Sequence, residues 1–249
     1  MRILITNDDG IYSPGILALA EVASKFGTVR VVAPDVERSS AGHSITASSP
    51  LNYRPTPLAD FEAYRVNGTP ADCVALGTHN WDHVDLVLSG INLGSNLGNS
   101  IWHSGTLAAA KQAALFGYRG IAFSTPVSIA EPNFVVLKPW VEIVLKLIID
   151  IPETPLLNVN LPSDTPVGIS WTRQSVRQYD GKIVPGKDPM GRHHFWFTVI
   201  PLENPEEGTD RSAIEKGYIS ITPLRLDLTD TRQLAHLQDV HGFRDVSFR

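Results

Sequence analysis

The sequence predicts an α/β fold: a mostly parallel sheet covered by helices on both faces, with a smaller β-rich appendage toward the C-terminal end. Three observations predict it. Short apolar runs alternate with helically spaced segments across residues 1–150. From Pro155 onward the pattern changes to alternating strands separated by Pro- and Gly-rich turns, Pro185-Gly186-Lys187-Asp188-Pro189 among them. The length, 249 residues, fits one large domain carrying such an appendage.

The elements follow in order. Ile3–Ile5 is a short apolar run ending in Asn7-Asp8-Asp9-Gly10, which reads as a buried strand and its turn. Ile16–Phe26 has helical spacing, with Leu17, Ala20, Val22 and Phe26 available for one face. Val29–Ala33 is a second buried strand, stopped by Pro34-Asp35. Pro70–His79 reads as a helix with Thr69 as N-cap and proline in its first turn. Val84–Leu88 is a strand, Ser104–Phe116 an alanine-rich helix, Ile121–Phe123 a strand and Lys138–Ile149 a helix. Beyond them, Leu157–Leu161, Phe195–Ile200 and Tyr218–Thr222 read as strands of the appendage, and Asp227–Leu237 as a last short helix.

Bulk properties exclude some classes of partner. A net charge of −5 and a pI near 5.9 argue against binding a nucleic-acid polymer or an anionic membrane by a broad positive field. No run approaches the roughly 20 apolar residues of a membrane span. The opening Met1–Thr6 run is too short for a signal peptide, and a single cysteine, Cys73, forms no intrachain disulfide. A cytoplasmic location is the expectation, with Cys73 a small buried apolar residue.

Ligands of open parallel sheets bind outside the carboxyl ends of the strands, and three chemically rich loops fall there. Asp8 and Asp9 follow the first strand. Arg38-Ser39-Ser40-Ala41-Gly42-His43-Ser44 follows the second. Ser89-Gly90-Ile91-Asn92-Leu93-Gly94-Ser95-Asn96-Leu97-Gly98 follows the Val84–Leu88 strand. Adjacent carboxylates raise each other's pKa unless a positive charge neutralises them. A hard divalent cation does so, and Mg²⁺ or Mn²⁺ takes carboxylates together with neutral oxygens such as those of Ser39 and Asn92. The sequence has no cysteine or paired-histidine cluster suited to zinc. Each residue also has a plain alternative: a turn and helix cap for Asp8-Asp9, a loop hydroxyl for Ser39, a turn residue for Asn92.

Ser104-Gly105-Thr106 opens the alanine-rich helix, whose free N–H groups and dipole suit an anion; simple N-capping by Ser104 is the alternative. Asn96 lies in a Gly94–Gly98 segment able to wrap a phosphate with backbone donors. No P-loop or GxGxxG motif is present. Cation and phosphate cradle together suggest hydrolytic phosphoryl transfer, with Asp9 positioning or deprotonating the nucleophile and Asp8 mainly a ligand. His43 and His103 flank the anion site as possible contacts or as surface residues. Trp102, Tyr118 and Trp196 are read as packing residues rather than base-stacking platforms, and His193 and His194 as strand or loop residues.

These same residues resemble the survival protein E (SurE) family. The resemblance is carried by Ile5-Thr6-Asn7-Asp8-Asp9-Gly10, by Ala33-Pro34-Asp35 with Arg38-Ser39, and by Gly68-Thr69-Pro70-Ala71-Asp72-Cys73-Val74. It continues through Ser89–Gly98 and Ser104-Gly105-Thr106 to Ile219-Ser220-Ile221-Thr222-Pro223-Leu224. The motifs occur in order over most of the chain. The resemblance implies a Rossmann-like three-layer αβα sandwich over 1–150, and a 151–249 extension packing on that core and on a partner subunit. It implies a 5′/3′-nucleotidase with one Mg²⁺ or Mn²⁺ per subunit, held by Asp8, Asp9, Ser39 and Asn92. It also implies a homodimer or homotetramer with exchanged C-terminal segments, and a cellular role in nucleotide salvage or stress survival. Two rivals remain. A phosphoribosyltransferase also places paired acids after a strand, but Gly10-Ile11-Tyr12-Ser13-Pro14 lacks its Thr-Gly-rich loop. A non-catalytic nucleotide sensor would keep the scaffold without turnover.

Overall fold

The computed structural model describes residues 1–127, 133–176, 181–199 and 203–241. The first half runs β1 (Arg2–Thr6), α1 (Pro14–Ala23), β2 (Thr28–Pro34), β3 (Tyr53–Pro55), β4 (Glu62–Val66), α2 (Pro70–His79) and β5 (Leu86–Leu93). A 3₁₀ turn over Gly98–Trp102 then leads into α3 (Gly105–Leu115), β6 (Arg119–Thr125) and α4 (Phe134–Ile149). The remainder is β7 (Leu156–Asn160), β8 (Gly168–Trp171), β9 (Gly181–Lys187), β10 (His193–Val199), α5 (Asp210–Glu215), β11 (Tyr218–Pro223) and α6 (Thr231–His241).

The central sheet has nine strands in the order β3-β4-β2-β1-β5-β6-β7-β11-β8. From β4 to β7 every neighbour is parallel, while β3 and β11 pair antiparallel to β4 and β7. After β1 the chain moves outward to β2 and β4, then returns on the other side of β1 as β5. The strand order therefore reverses between β1 and β5, and a crevice opens there at the carboxyl ends.

Side-chain alternation sorts the strands onto two faces. Ile3, Ile5, Val31, Leu88, Phe123 and Val159 point to the face covered by α1 and α4, and all are fully buried. Leu4, Val32 and Val87 point the other way, to α2 and α3, where Cys73 and Val74 complete the layer. This is the three-layer αβα sandwich that the sequence predicts. α2 spans the expected residues, fixed by a reciprocal cap: the Asp72 N–H donates to Thr69 Oγ1 at 3.2 Å, and the Thr69 N–H to Asp72 Oδ2 at 2.9 Å.

Some elements differ from the sequence reading. α4 begins at Phe134, before the expected Lys138. Asn133 caps it, and the buried Phe134 and Leu137 extend its apolar face past Pro139. β5 runs on to Leu93 through a register shift between Ser89 and Asn92, so Asn92 belongs to the strand end rather than to a free loop. Pro185-Gly186-Lys187 lies inside β9, and the hairpin turns at Asp188–Arg192 instead. β10 covers the expected Phe195 strand, whose last expected residue, Ile200, lies outside the described residues. The strands after residue 150 divide: β7, β8 and β11 extend the main sheet, and only the β9–β10 hairpin forms a separate two-stranded sheet. Trp102 and Trp196, read as packing residues, are exposed, whereas Tyr118 packs on the core as expected.

Candidate functional site

β1 delivers Asp8 and Asp9 into the β1/β5 crevice. Asn7 shapes the turn by donating from Nδ2 to the Gly10 carbonyl at 3.0 Å and to Ser13 Oγ at 2.7 Å. Asp8 is almost wholly buried. Its Oδ1 accepts the Thr106 hydroxyl at 2.7 Å, and its carboxylate also takes the Thr106 backbone N–H. The anion at the N-terminus of α3 is thus Asp8 itself. Ser104 caps the same helix by accepting the Leu107 N–H at 3.1 Å. Gly105 is required by this approach: a Cβ there would lie 2.8 Å from Asp8 Cβ and 2.9 Å from its Oδ2.

Burial pushes the Asp8 carboxyl above the ordinary carboxylate range against the pull of the Thr106 bonds, and Glu37 adds to the rise. Burial is also the main cause for Asp9, followed by the charge of Asp8, and together they raise it to about 6 despite the Leu93 N–H that Asp9 accepts. The charges that raise this pair are all negative. Sequence reasoning passed over Glu37, whose Oε1 accepts the Ser39 hydroxyl at 2.6 Å. The signal was present as a second acid between Asp35 and Arg38 in the loop that carries Ser39.

That loop is stitched to the site through its backbone. The Arg38 N–H donates to the Asp8 carbonyl at 2.7 Å, and the Gly42 N–H to the His103 carbonyl at 3.0 Å. Ser39 is exposed, and its hydroxyl donates to Glu37. Asn92 spends its amide donor on the Gly94 carbonyl at 2.7 Å, which leaves Oδ1 as the acceptor end. Among the described residues, Asn7 Oδ1, Ser89 Oγ and Ser95 Oγ are buried without a hydrogen-bond partner, and no group of three His, Cys, Asp or Glu assembles as a metal site. Two desolvated carboxylates with the neutral oxygens of Ser39 and Asn92 are donors of the kind a hard, water-carrying divalent cation takes, not those of a thiolate- or imidazole-bound one.

Asn96 is the best-anchored residue of the region. Its Nδ2 donates to Ser124 Oγ at 2.8 Å and to Thr106 Oγ1 at 3.4 Å. Its N–H donates to Asn160 Oδ1 at 2.9 Å, and its carbonyl accepts the amides of Asn158 at 2.8 Å and Asn160 at 3.0 Å. A buried chain of bonds therefore joins Asp8, Thr106, Asn96 and β7. The structure brings Asp8, Asn96, Gly105 and Thr106 into direct succession. His43 is not part of that succession: it is exposed, its Nε2 lies 2.9 Å from Gln112 Oε1, and with Trp102 and Lys111 it lines a cavity of about 940 Å³ to which Asp8 and Asp9 do not contribute.

Three comparisons bear on this arrangement. Residues 3–181 match the family model described as survival protein SurE. A protein of Thermus thermophilus named 5′-nucleotidase SurE 1 is 46% identical over 99% of this chain and 96% of its own length. A Deinococcus radiodurans 5′-nucleotidase SurE is 42% identical over 92% of this chain and 88% of its own. The crystal structure of the SurE protein from Aquifex aeolicus superposes with a TM-score of 0.83 at 39% identity, covering 97% of this chain and all of that one. With matches of this extent in both sequence and fold, the chain belongs to the SurE family.

Proposed function

We propose that this chain is a divalent-metal-dependent phosphomonoesterase that hydrolyses nucleoside 5′-monophosphates, and 3′-monophosphates as well, to nucleoside and phosphate. The observation that carries the proposal is the desolvated Asp8–Asp9 pair at the strand-order reversal, backed against the first turn of α3. The relatives named as 5′-nucleotidases support the substrate class.

Asp8, Asp9, Ser39 and Asn92 would hold one Mg²⁺ or Mn²⁺. When bound, that ion supplies charge neutralisation at the phosphoryl oxygens. The chain's own groups do the rest. Asp9, the more accessible acid, positions the attacking water and takes its proton. Thr106 acts through Asp8, fixing its orientation with two hydrogen bonds. Asn96, Ser104 and Gly105 would border the phosphate, with the small Gly105 letting the start of α3 approach Asp8. His43, beside the exposed Trp102, would meet the nucleoside half.

A homodimer or homotetramer is part of the same reading. The exposed Ile183, Phe195 and Trp196 of the hairpin and Leu234 and Leu237 of α6 support it, since such apolar side chains gain from a partner's cover. A reducing, cytoplasmic setting suits the single buried thiol of Cys73. No described helix is long and apolar enough to cross a membrane.

The test is phosphate release from a panel of nucleoside monophosphates by metal-stripped protein, with and without Mn²⁺, alongside Asp8→Asn. Metal-dependent release by the parent, lost in the variant, is the expected result. Folded parent that releases no phosphate with any metal would overturn the proposal in favour of a nucleotide sensor.

A further inference from the structure

Asp210 is a fully buried carboxylate that the chemistry above does not use. It is the first residue of α5, 112 positions from the loop it grips. Its Oδ2 accepts the Gly98 N–H at 2.7 Å, and its Oδ1 accepts the N–H groups of Arg211 at 2.8 Å and Ser175 at 3.1 Å. The other end of the same glycine is also held: Gln174 Nε2 donates to the Gly98 carbonyl at 3.0 Å. Gly98 itself has φ +57°, and a Cβ there would lie 2.9 Å from the Ser175 carbonyl oxygen.

Gly98 stands two residues after Asn96, whose backbone is pinned by Asn158 and Asn160 of β7. It also opens the 3₁₀ turn that hands the chain to Ser104-Gly105-Thr106. Two independent clamps, one from β7 and one from the 173–175 and 209–211 segments, therefore fix the stretch from Asn96 to the α3 N-terminus. A neutral side chain of the same shape cannot make the second clamp, because three N–H groups converge on two oxygens and an amide offers only one acceptor. Burying a carboxylate is costly even when it is bonded on all sides. That cost is placed where a shift of about 1 Å would misalign phosphate contacts and lower turnover by as much as roughly 100-fold.

From this geometry we infer that Asp210, assisted by Gln174, is a positioning residue for phosphate binding, acting through Gly98 on the Asn96–Thr106 segment. The inference rests on the reading of that segment as the phosphate site. Its test compares Asp210→Asn with Ser220→Ala. The Ser220 hydroxyl bonds Thr172 at 2.8 Å on β11, the strand that α5 packs against, and Ser220 does not line the cavity shared by His43 and Trp102.

Steady-state kinetics with a nucleoside monophosphate, inhibition by inorganic phosphate, and thermal melting are measured on each. Asp210→Asn is expected to lower kcat/KM by roughly 10- to 100-fold and to weaken phosphate inhibition about tenfold. Ser220→Ala should lower Tm while leaving both constants within about twofold of the parent. Asp210→Asn constants that also stay within about twofold, with only Tm lowered, would overturn the inference and leave Asp210 a fold staple. Should Asp210→Asn fail to fold, Gln174→Ala removes the half-buried contacts to the Gly98 carbonyl and, at 3.5 Å, to Asn99 Oδ1. It is expected to weaken phosphate inhibition severalfold, and an unchanged constant would overturn the inference.

If the parent hydrolyses no nucleotide, the proposed function fails on its own, and the Tm shift produced by inorganic phosphate with Mn²⁺ present still decides. A shift in the parent that Asp210→Asn loses supports the clamp. An equal shift in both, or none in the parent, overturns it.

Discussion

Replacing Asp9 with asparagine should make the metal-free protein more stable while disabling it. Burial and the Asp8 charge raise the Asp9 carboxyl from 3.8 to about 6. Because the folded-state value lies above the unfolded one, the group favours folding below about pH 4, loses that contribution as pH rises toward 6, and exerts a constant penalty above it. At full burial the rise is equivalent to about 3 kcal/mol. Asp9 keeps part of its surface in water, so we halve this to about 1.5 kcal/mol. For a chain of this size that is a gain of about 3–6 °C in Tm at pH 8.

Differential scanning calorimetry of chelator-treated parent and Asp9→Asn, from pH 4 to 8, reads the effect directly. The gap should close toward pH 4, where both side chains are neutral. Saturating Mn²⁺ should then reverse the order, since ligand at about 100 times its Kd adds about 2.7 kcal/mol to the form that binds it. Turnover of the variant should fall by about 10²- to 10⁴-fold. A metal-free Asp9→Asn protein no more stable than its parent at pH 8, or a gap that persists at pH 4, would refute the reasoning.

Two further predictions concern other sites. Gly105→Ala places a methyl against Asp8 Cβ and Oδ2, so phosphate release should fall well before stability does, as read by kcat and Tm on one preparation. Glu142 is held down to about 2 by its bond from Lys146 and then that from Lys25, which ties the end of α1 to α4. A lowered carboxyl stabilises above its unfolded value of 4.5 and loses that contribution as pH falls toward 2. Glu142→Gln should therefore lower Tm slightly at pH 7 and match the parent near pH 2.

The sequence made the middle of the sheet readable and its margins obscure. β1, β2, β5 and β6 are runs of apolar residues buried on both faces, so composition alone marks them. β3 and β4 are short, and in Glu62–Val66 only Ala63 and Val66 are buried, so they carry no apolar run. Stacking of Tyr53 on Tyr64, with ring centroids 4.2 Å apart, joins them across a span that composition does not reveal.

Asp8, Asp9, Ser39 and Asn92 were conspicuous in the sequence because oxygen-bearing side chains gather where apolar strands end. Their supports were not. Asn158 and Asn160 read as the polar face of an ordinary alternating strand, yet both are buried and bond the Asn96 carbonyl. Asp210 and Glu37 belong to no motif that the sequence singles out. What makes each of them matter is a partner distant in sequence, or reached across a turn, and only the folded chain brings the two together.

The parallel order of the sheet also sets how such a site can diversify. Loops that leave β2, β1, β5, β6 and β7 emerge from one edge in fixed sequence, about 4.8 Å apart, so the outermost two stand roughly 19 Å from each other. The acids follow β1, one strand in from the β2 side and three from β7. On the proposed chemistry, bond-breaking and alcohol recognition would fall to different strands of a shared frame. Changes in the outlying loops can exchange one leaving group for another while the reacting centre keeps its registration, which gives this architecture a route to new phosphoesters that need not pass through an inactive intermediate.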